Sequence, residues 1–275
     1  MSLQTNLKGR LRNTFLPKSH GLMPVFEAVV NSIHSIEEKG SSDNGQVVLR
    51  INRATQGSLD FDAKSLPPIL GFTITDNGCG FDETNFKSFE TLDSDHKIDK
   101  GCRGVGRLMW LKVFDLVEVE SHFVDVDGQL KKRVFRFNDK SGVHGENVQV
   151  ATQKQSGTQI TLVGFDESYR KQVPTKGLTV ANQLLEHVLW YFVRPGSAPN
   201  VQVEDAGEIF ELDFLLEEHM HASAFLETIK LRDYSFDLTH IKFRASVNKK
   251  HQLALCAANR LVKEESIQGK IPGLY

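Results

Sequence analysis

The sequence predicts an α+β fold, and three observations carry the prediction. An amphipathic helical pattern runs from His20 to Lys39, and an apolar one runs from Leu178 to Val193. Between them lie runs that alternate apolar and polar residues, two of them joined at Asp127-Gly128 as a β-hairpin would be. With 275 residues, 40% hydrophobic and 25% charged, the chain can bury a full core and has the ordinary composition of a globular protein.

Charge and cysteine content narrow the class. The formal net charge of -2 gives no polyanion-binding tail, yet Lys8, Arg10, Arg12 and Lys18 all precede the first acidic residue, Glu27. Residues 1–19 are thus a basic arm; a solvated arm is the first reading, and contact with a partner subunit or nucleic acid the second. The 3 cysteines, Cys79, Cys102 and Cys256, form no CxxC pair, which argues against a disulfide framework or a zinc site and fits a reducing cytoplasm. No apolar run is long enough to span a bilayer, and the polar start Met1-Ser2-Leu3-Gln4 is unlike a signal peptide. The expectation is a cytoplasmic protein with no membrane partner.

In chain order, Leu22, Val25, Phe26, Val29, Val30, Ile33 and Ile36 fill one arc of the first helix at about 100° per residue. Glu27, Asn31, His34 and Glu38 fall opposite, so Glu27 and Asn31 point the same way one turn apart. A Glu/Asn pair of this kind is by itself the wet face of a helix. Pro24 suits the first turn, where its missing N–H costs nothing. Gly40 to Gly45 is a polar loop, and Gln46 to Arg53 alternates as a half-buried strand. The apolar, β-branched run from Ile69 to Thr75 is a buried strand that delivers Asp76 into the turn Asp76-Asn77-Gly78-Cys79-Gly80. Its glycines allow close approach of a ligand to the backbone, although Asp-Asn-Gly is also good hairpin chemistry with no ligand at all.

Asp82 to Asp93 is weakly helical around Phe86 and Phe89, and Ser94 to Lys100 is a loop. Next comes Gly101-Cys102-Arg103-Gly104-Val105-Gly106, ahead of the apolar residues Leu108, Met109, Trp110 and Leu111. Glycines at a helix entry expose free N–H groups, which favours an anion such as phosphate. The spacing is GxxGxG, neither a dinucleotide fingerprint nor a Walker A loop, and a flexible loop is the alternative. Asp115 to Val126 and Leu130 to Phe137 form the hairpin, a polar loop follows, and Ser156-Gly157-Thr158 opens a strand through Val163. The apolar helix closes at Pro195-Gly196. From Val201 the texture becomes strand-like, at Val201 to Glu204, Ile209 to Phe214, His240 to Ser246 and Gln252 to Lys263, so a boundary is expected near residue 200.

Four pieces in order, Glu27-x-x-x-Asn31, Asp76-x-Gly78-x-Gly80, Gly101-x-x-Gly104-x-Gly106 and Gly157-Thr158, resemble the GHKL ATPases, named for gyrase B, the heat-shock chaperone, sensor histidine kinases and MutL. The resemblance covers roughly residues 20 to 195. It implies a two-layer Bergerat fold, a mixed sheet with helices on one face, as an ATP-binding domain over residues 20–200. In the family, the aspartate of the first glycine motif accepts a hydrogen bond from the adenine amino group, which falls here to Asp76, with Gly78 and Gly80 keeping the pocket floor open. Thr158 matches the threonine that completes the adenine contacts. Asn31 matches the oxygen ligand of Mg²⁺. Glu27 matches the general base that deprotonates the attacking water. Gly101, Gly104 and Gly106, with Val105 between them, match the lid over the phosphates, where Arg103 adds charge.

The stretch before the first helix is too short for the phosphoacceptor hairpin of a histidine kinase, so the likeness is to MutL-like or heat-shock-chaperone-like members. Residues 201–275, above all His251 to Val262, look like the start of the S5-like transducer domain of MutL-like relatives. That domain supplies a lysine to the γ-phosphate; Lys249 and Lys250 do not match it, and the resemblance places it beyond Tyr275. The implied function is an ATP-driven clamp: nucleotide closes the lid, two copies dimerise, and slow Mg²⁺-dependent hydrolysis reopens them, with DNA or a protein as client. The other expectation is a regulatory module that holds ATP or ADP without significant hydrolysis.

Overall fold

The computed structural model describes residues 7–55, 66–91, 106–194, 196–220, 225–244, 251–257 and 260–270. The protein is a mixed α/β fold built on one large mixed sheet. Helix α1 (Leu7–Asn13) precedes α2 (Met23–Lys39), followed by strands β1 (Gln46–Arg53) and β2 (Ile69–Asp76). Then come α3 (Glu83–Glu90), α4 (Gly106–Val113), β3 (Phe114–Val124), β4 (Leu130–Asn138), β5 (Gly142–Val150) and β6 (Gly157–Phe165). The short α5 (Glu167–Arg170) leads to α6 (Gly177–Val193), β7 (Asn200–Asp205), β8 (Glu208–Glu211) and α7 (Leu212–His219). Two hairpins end the chain: β9 (Phe225–Leu231) with β10 (Tyr234–His240), and β11 (Gln252–Ala257) with β12 (Arg260–Ser266).

The sheet has 8 strands in the order β5-β4-β3-β6-β2-β1-β7-β8. Neighbours are antiparallel except β1 and β7, which run parallel with Gln46 opposite Asn200. Period-2 alternation gives the sheet a buried face, lined by Val47, Leu49, Phe72, Ile74, Val117, Val119, Ile160, Leu162, Val201 and Val203. Val25, Val29, Ile33 and Ile36 of α2, Trp110 of α4, and Val180, Leu184 and Val188 of α6 join these strands in a single core. The opposite face carries charge, with ion pairs between neighbouring strands at Arg50–Glu204, Lys132–Glu120 and Arg136–Glu118.

Four expectations change. The polar loop before Ser156 contains β5, which among the described residues is an edge strand paired with β4; six of its nine residues are exposed, so it carries no alternation to read. The run Ile209 to Phe214 is not one strand: β8 ends at Glu211 and α7 begins, because Leu212, Leu215 and Leu216 recur at helical spacing and bury together. His240 to Ser246 is not a strand over its described part; β10 ends at His240, and Phe243 forms an isolated bridge to Met220. His34 does not lie on a wet face but is buried against α6. Near residue 200 the chain enters β7, and β7, β8 and α7 pack into the large sheet and its core. The described part of the basic arm rests on its own chain: Leu11 of α1 is buried, and the Lys18 ammonium lies 3.6 Å from the centre of the Tyr169 ring in α5.

Candidate functional site

The site begins where β2 ends. Asp76 lies between two strands, opposite Val47 of β1 and Thr158 of β6, and is 8% exposed. Its carboxylate is held from two sides: Ser32 Oγ of α2 donates to Oδ2 at 2.8 Å, and the Gly78 backbone N–H donates to Oδ1 at 2.9 Å. Burial pushes its pKa up to about 6; bonds from the Gly78 N–H, the Ser32 hydroxyl and the Thr158 backbone, and the charge of Lys39, pull it part of the way back. A carboxylate has about four lone-pair sites, so this anchoring leaves acceptor capacity for a ligand N–H.

The turn after Asp76 is fixed on every side. Asn77 Oδ1 accepts from the Gln46 N–H at 2.8 Å, Nδ2 donates to Asn44 O at 2.8 Å, and Lys39 Nζ donates to Asn77 O at 2.7 Å. The Cys79 N–H donates to Ser35 Oγ at 3.1 Å, and Ser156 Oγ donates to Gly78 O at 2.8 Å. Packing within the protein by itself calls for glycine at both positions. A Cβ on Gly78 would stand 2.3 Å from Ser35 Oγ and 2.8 Å from the Ser35 carbonyl carbon. Gly80, at φ +83°, would place one 2.3 Å from the His122 carbonyl oxygen. The two glycines let the turn dock on α2 and β3. Gly106, at the entry to α4, is the contrast: a Cβ there meets no atom of the described residues within 4 Å.

Thr158 is buried, and its Oγ1 lies 3.0 Å from Ser121 Oγ of β3, which in turn accepts from the Phe81 N–H at 2.8 Å. Hydroxyls of Ser32, Ser35, Ser121 and Ser156 therefore organise the surroundings of Asp76, and of these Ser156, ahead of Gly157-Thr158, and Ser32, directly after Asn31, adjoin sequence motifs.

Asn31 is exposed on α2, and Glu27, one turn earlier, is half-buried. Glu27 Oε1 lies 3.5 Å from His187 Nε2 of α6. Two further polar pairs extend this seam: His34 Nε2 and Tyr191 Oη at 2.7 Å, and Glu37 with Arg194. The pairs advance in the same direction along both helices, so α2 and α6 run parallel, matching the parallel β1–β7 pair beneath them.

Gly106 opens α4, whose Trp110 Nε1 donates to Pro24 O of α2 at 2.9 Å. Arg107 reaches back to Ser88 O at 2.9 Å, to Phe89 O, and to Thr91 O at 2.8 Å, tying α4 to the end of α3. Gly101, Arg103, Gly104 and Val105 lie outside the described residues, as do Cys102, Lys249 and Lys250. The structure thus joins Asp76 and Gly78 to α2, and Gly80 and Thr158 to β3, and carries Glu27 and Asn31 on α2. Among the described residues there is no group of three or more His, Cys, Asp or Glu side chains placed to hold a metal ion. A single Asn31 oxygen suits a hard cation that takes its other ligands from phosphates and water. No helix among the described residues is long and apolar enough to cross a membrane. No protein-family model matches the chain, and no curated protein matches it.

Proposed function

We propose that the protein binds ATP in a Bergerat-type fold and hydrolyses it slowly with Mg²⁺, and that nucleotide drives lid closure and pairing of two copies as a clamp, with DNA or another protein as client. One observation carries the reading: the buried carboxylate of Asp76 is held by Ser32, the residue directly after Asn31 on α2. A base-recognising acceptor and the helix bearing the Glu/Asn pair are thereby one rigid unit. Asp76 accepts the adenine amino N–H, and the Thr158 backbone, in register with it, lines the same edge. Mg²⁺ neutralises phosphate charge, with Asn31 as its protein ligand. Glu27 orients the attacking water and takes its proton.

Calorimetric titration with Mg-ADP tests the reading. Wild type binds, and Asp76→Asn weakens binding by about 10–150-fold, as expected when a hydrogen bond to a charged group worth about 1.5–3 kcal/mol is lost. The absence of both a binding isotherm and a thermal shift for wild type with Mg-ADP or Mg-ATP would refute it. Glu27→Ala abolishes turnover while leaving nucleotide affinity within a few-fold; a large loss of affinity contradicts its role as base. A second reading is a module that holds nucleotide without significant hydrolysis. Single-turnover measurement separates the two: ATP that stays bound and uncleaved selects the second.

A further inference from the structure

We propose that His187 of α6 is the positioning residue for Glu27, a role that rests on the reading of Glu27 as general base. A general base works only when its oxygen is held within about 0.5 Å of a productive position, and a glutamate side chain has several rotatable bonds to restrain. The structure supplies the restraint from across the α2–α6 seam. His187 Nε2 lies 3.5 Å from Glu27 Oε1, and both side chains are about one-fifth exposed. The imidazole is itself fixed: its ring packs on Phe26, the residue before Glu27, with centroids 5.6 Å apart. Its helix is anchored on either side by buried Leu184, Leu185 and Val188. At 3.5 Å the contact is a polar one, within reach of an Nε2–H in the neutral Nε2–H tautomer and in the imidazolium alike. Solvent reaches the pair only partly, which strengthens the interaction relative to an exposed one.

The pair is separable from the adenine end. Asp76, Ser32 and Thr158 anchor to one another through β2, α2 and β6, without α6. Loss of the imidazole nitrogen therefore lowers the rate of the chemical step while leaving nucleotide affinity alone.

Two substitutions of opposite character make the test. His187→Phe keeps a ring against Phe26 and removes the nitrogen; His187→Gln keeps an N–H donor and removes the ring. If His187 positions Glu27, His187→Phe lowers kcat for ATP about 10–100-fold with KM and the Kd for Mg-ADP within about 2-fold. His187→Gln then stays within about 3-fold of wild type. In a Glu27→Gln background, His187→Phe has no further effect on the residual rate. A merely structural ring reverses the order, with His187→Phe near wild type and His187→Gln impaired, and that result overturns the proposal. Equal kcat for wild type and His187→Phe, alongside abolished turnover in Glu27→Ala, overturns it too while sparing the reading of Glu27 as base. Absence of Glu27-dependent turnover in wild type overturns both.

Discussion

Asp76 is a carboxylate whose folded environment favours its proton, and that gives it a signature in solution. An unfolded aspartate titrates near 3.9, whereas burial moves Asp76 up to about 6. Between those values the folded protein holds a proton that the unfolded chain has released. The contribution to stability is therefore full below about pH 4 and is lost as pH rises through 6, by about 3 kcal/mol in all. Asp76→Asn has no such titration, so urea midpoints of wild type and variant should converge at the acid end and separate towards pH 7. Parallel profiles would show that Asp76 is not buried as described. The same protonation removes a carboxylate acceptor, so Mg-ADP affinity should fall as pH drops below 6 in wild type and not in Asp76→Asn. Asp76 was visible in the sequence because a lone acid at the end of an apolar strand is conspicuous. Ser32, Ser121 and His187 were not, because each matters only through a partner that folding brings from another element.

At the scale of the element, the turn after β2 shows how docking against neighbouring elements by itself calls for glycine. Gly80 and Gly128 both sit in the left-handed region, at φ +83° and +74°. Gly128 turns the β3–β4 hairpin in open space, whereas a Cβ on Gly80 meets the His122 carbonyl oxygen. Gly128→Ala should cost about 1–2 kcal/mol from backbone strain alone, and Gly80→Ala at least about 1–3 kcal/mol more. Thermal midpoints check this, and equal losses would argue that the turn does not dock on β3. Elements with clean periodicity, β1, β2 and α6, matched their sequence patterns to within a residue or so. Helix α7 was hidden because its first residues continue the alternating texture of β8, and β5 because an exposed edge strand selects for no apolar face.

For the whole molecule, stability should divide unequally along the chain. Leu212 of α7 is fully buried in the core of the large sheet, while Phe236 of β10 is 52% exposed. Leu212→Ala should cost about 2–5 kcal/mol and Phe236→Ser less than about 0.5 kcal/mol. Comparable losses on denaturant unfolding would place the terminal hairpins within the same cooperative unit as the sheet.

The parallel pairing of β1 with β7 has a kinetic meaning. It brings Gln46 to Asn200, and the α2–α6 seam above it joins His34 to Tyr191 across 157 positions. Antiparallel β1 and β2, by contrast, meet after a short excursion of chain. Contacts between distant segments carry the larger loop-closure entropy and tend to form late. During refolding, amides of β1 and β2 should therefore gain protection from hydrogen exchange before those of α6 and β7. The cradle around Asp76 would then precede the pairing of Glu27 with His187, so the two ends of α2 would settle into their surroundings at different times.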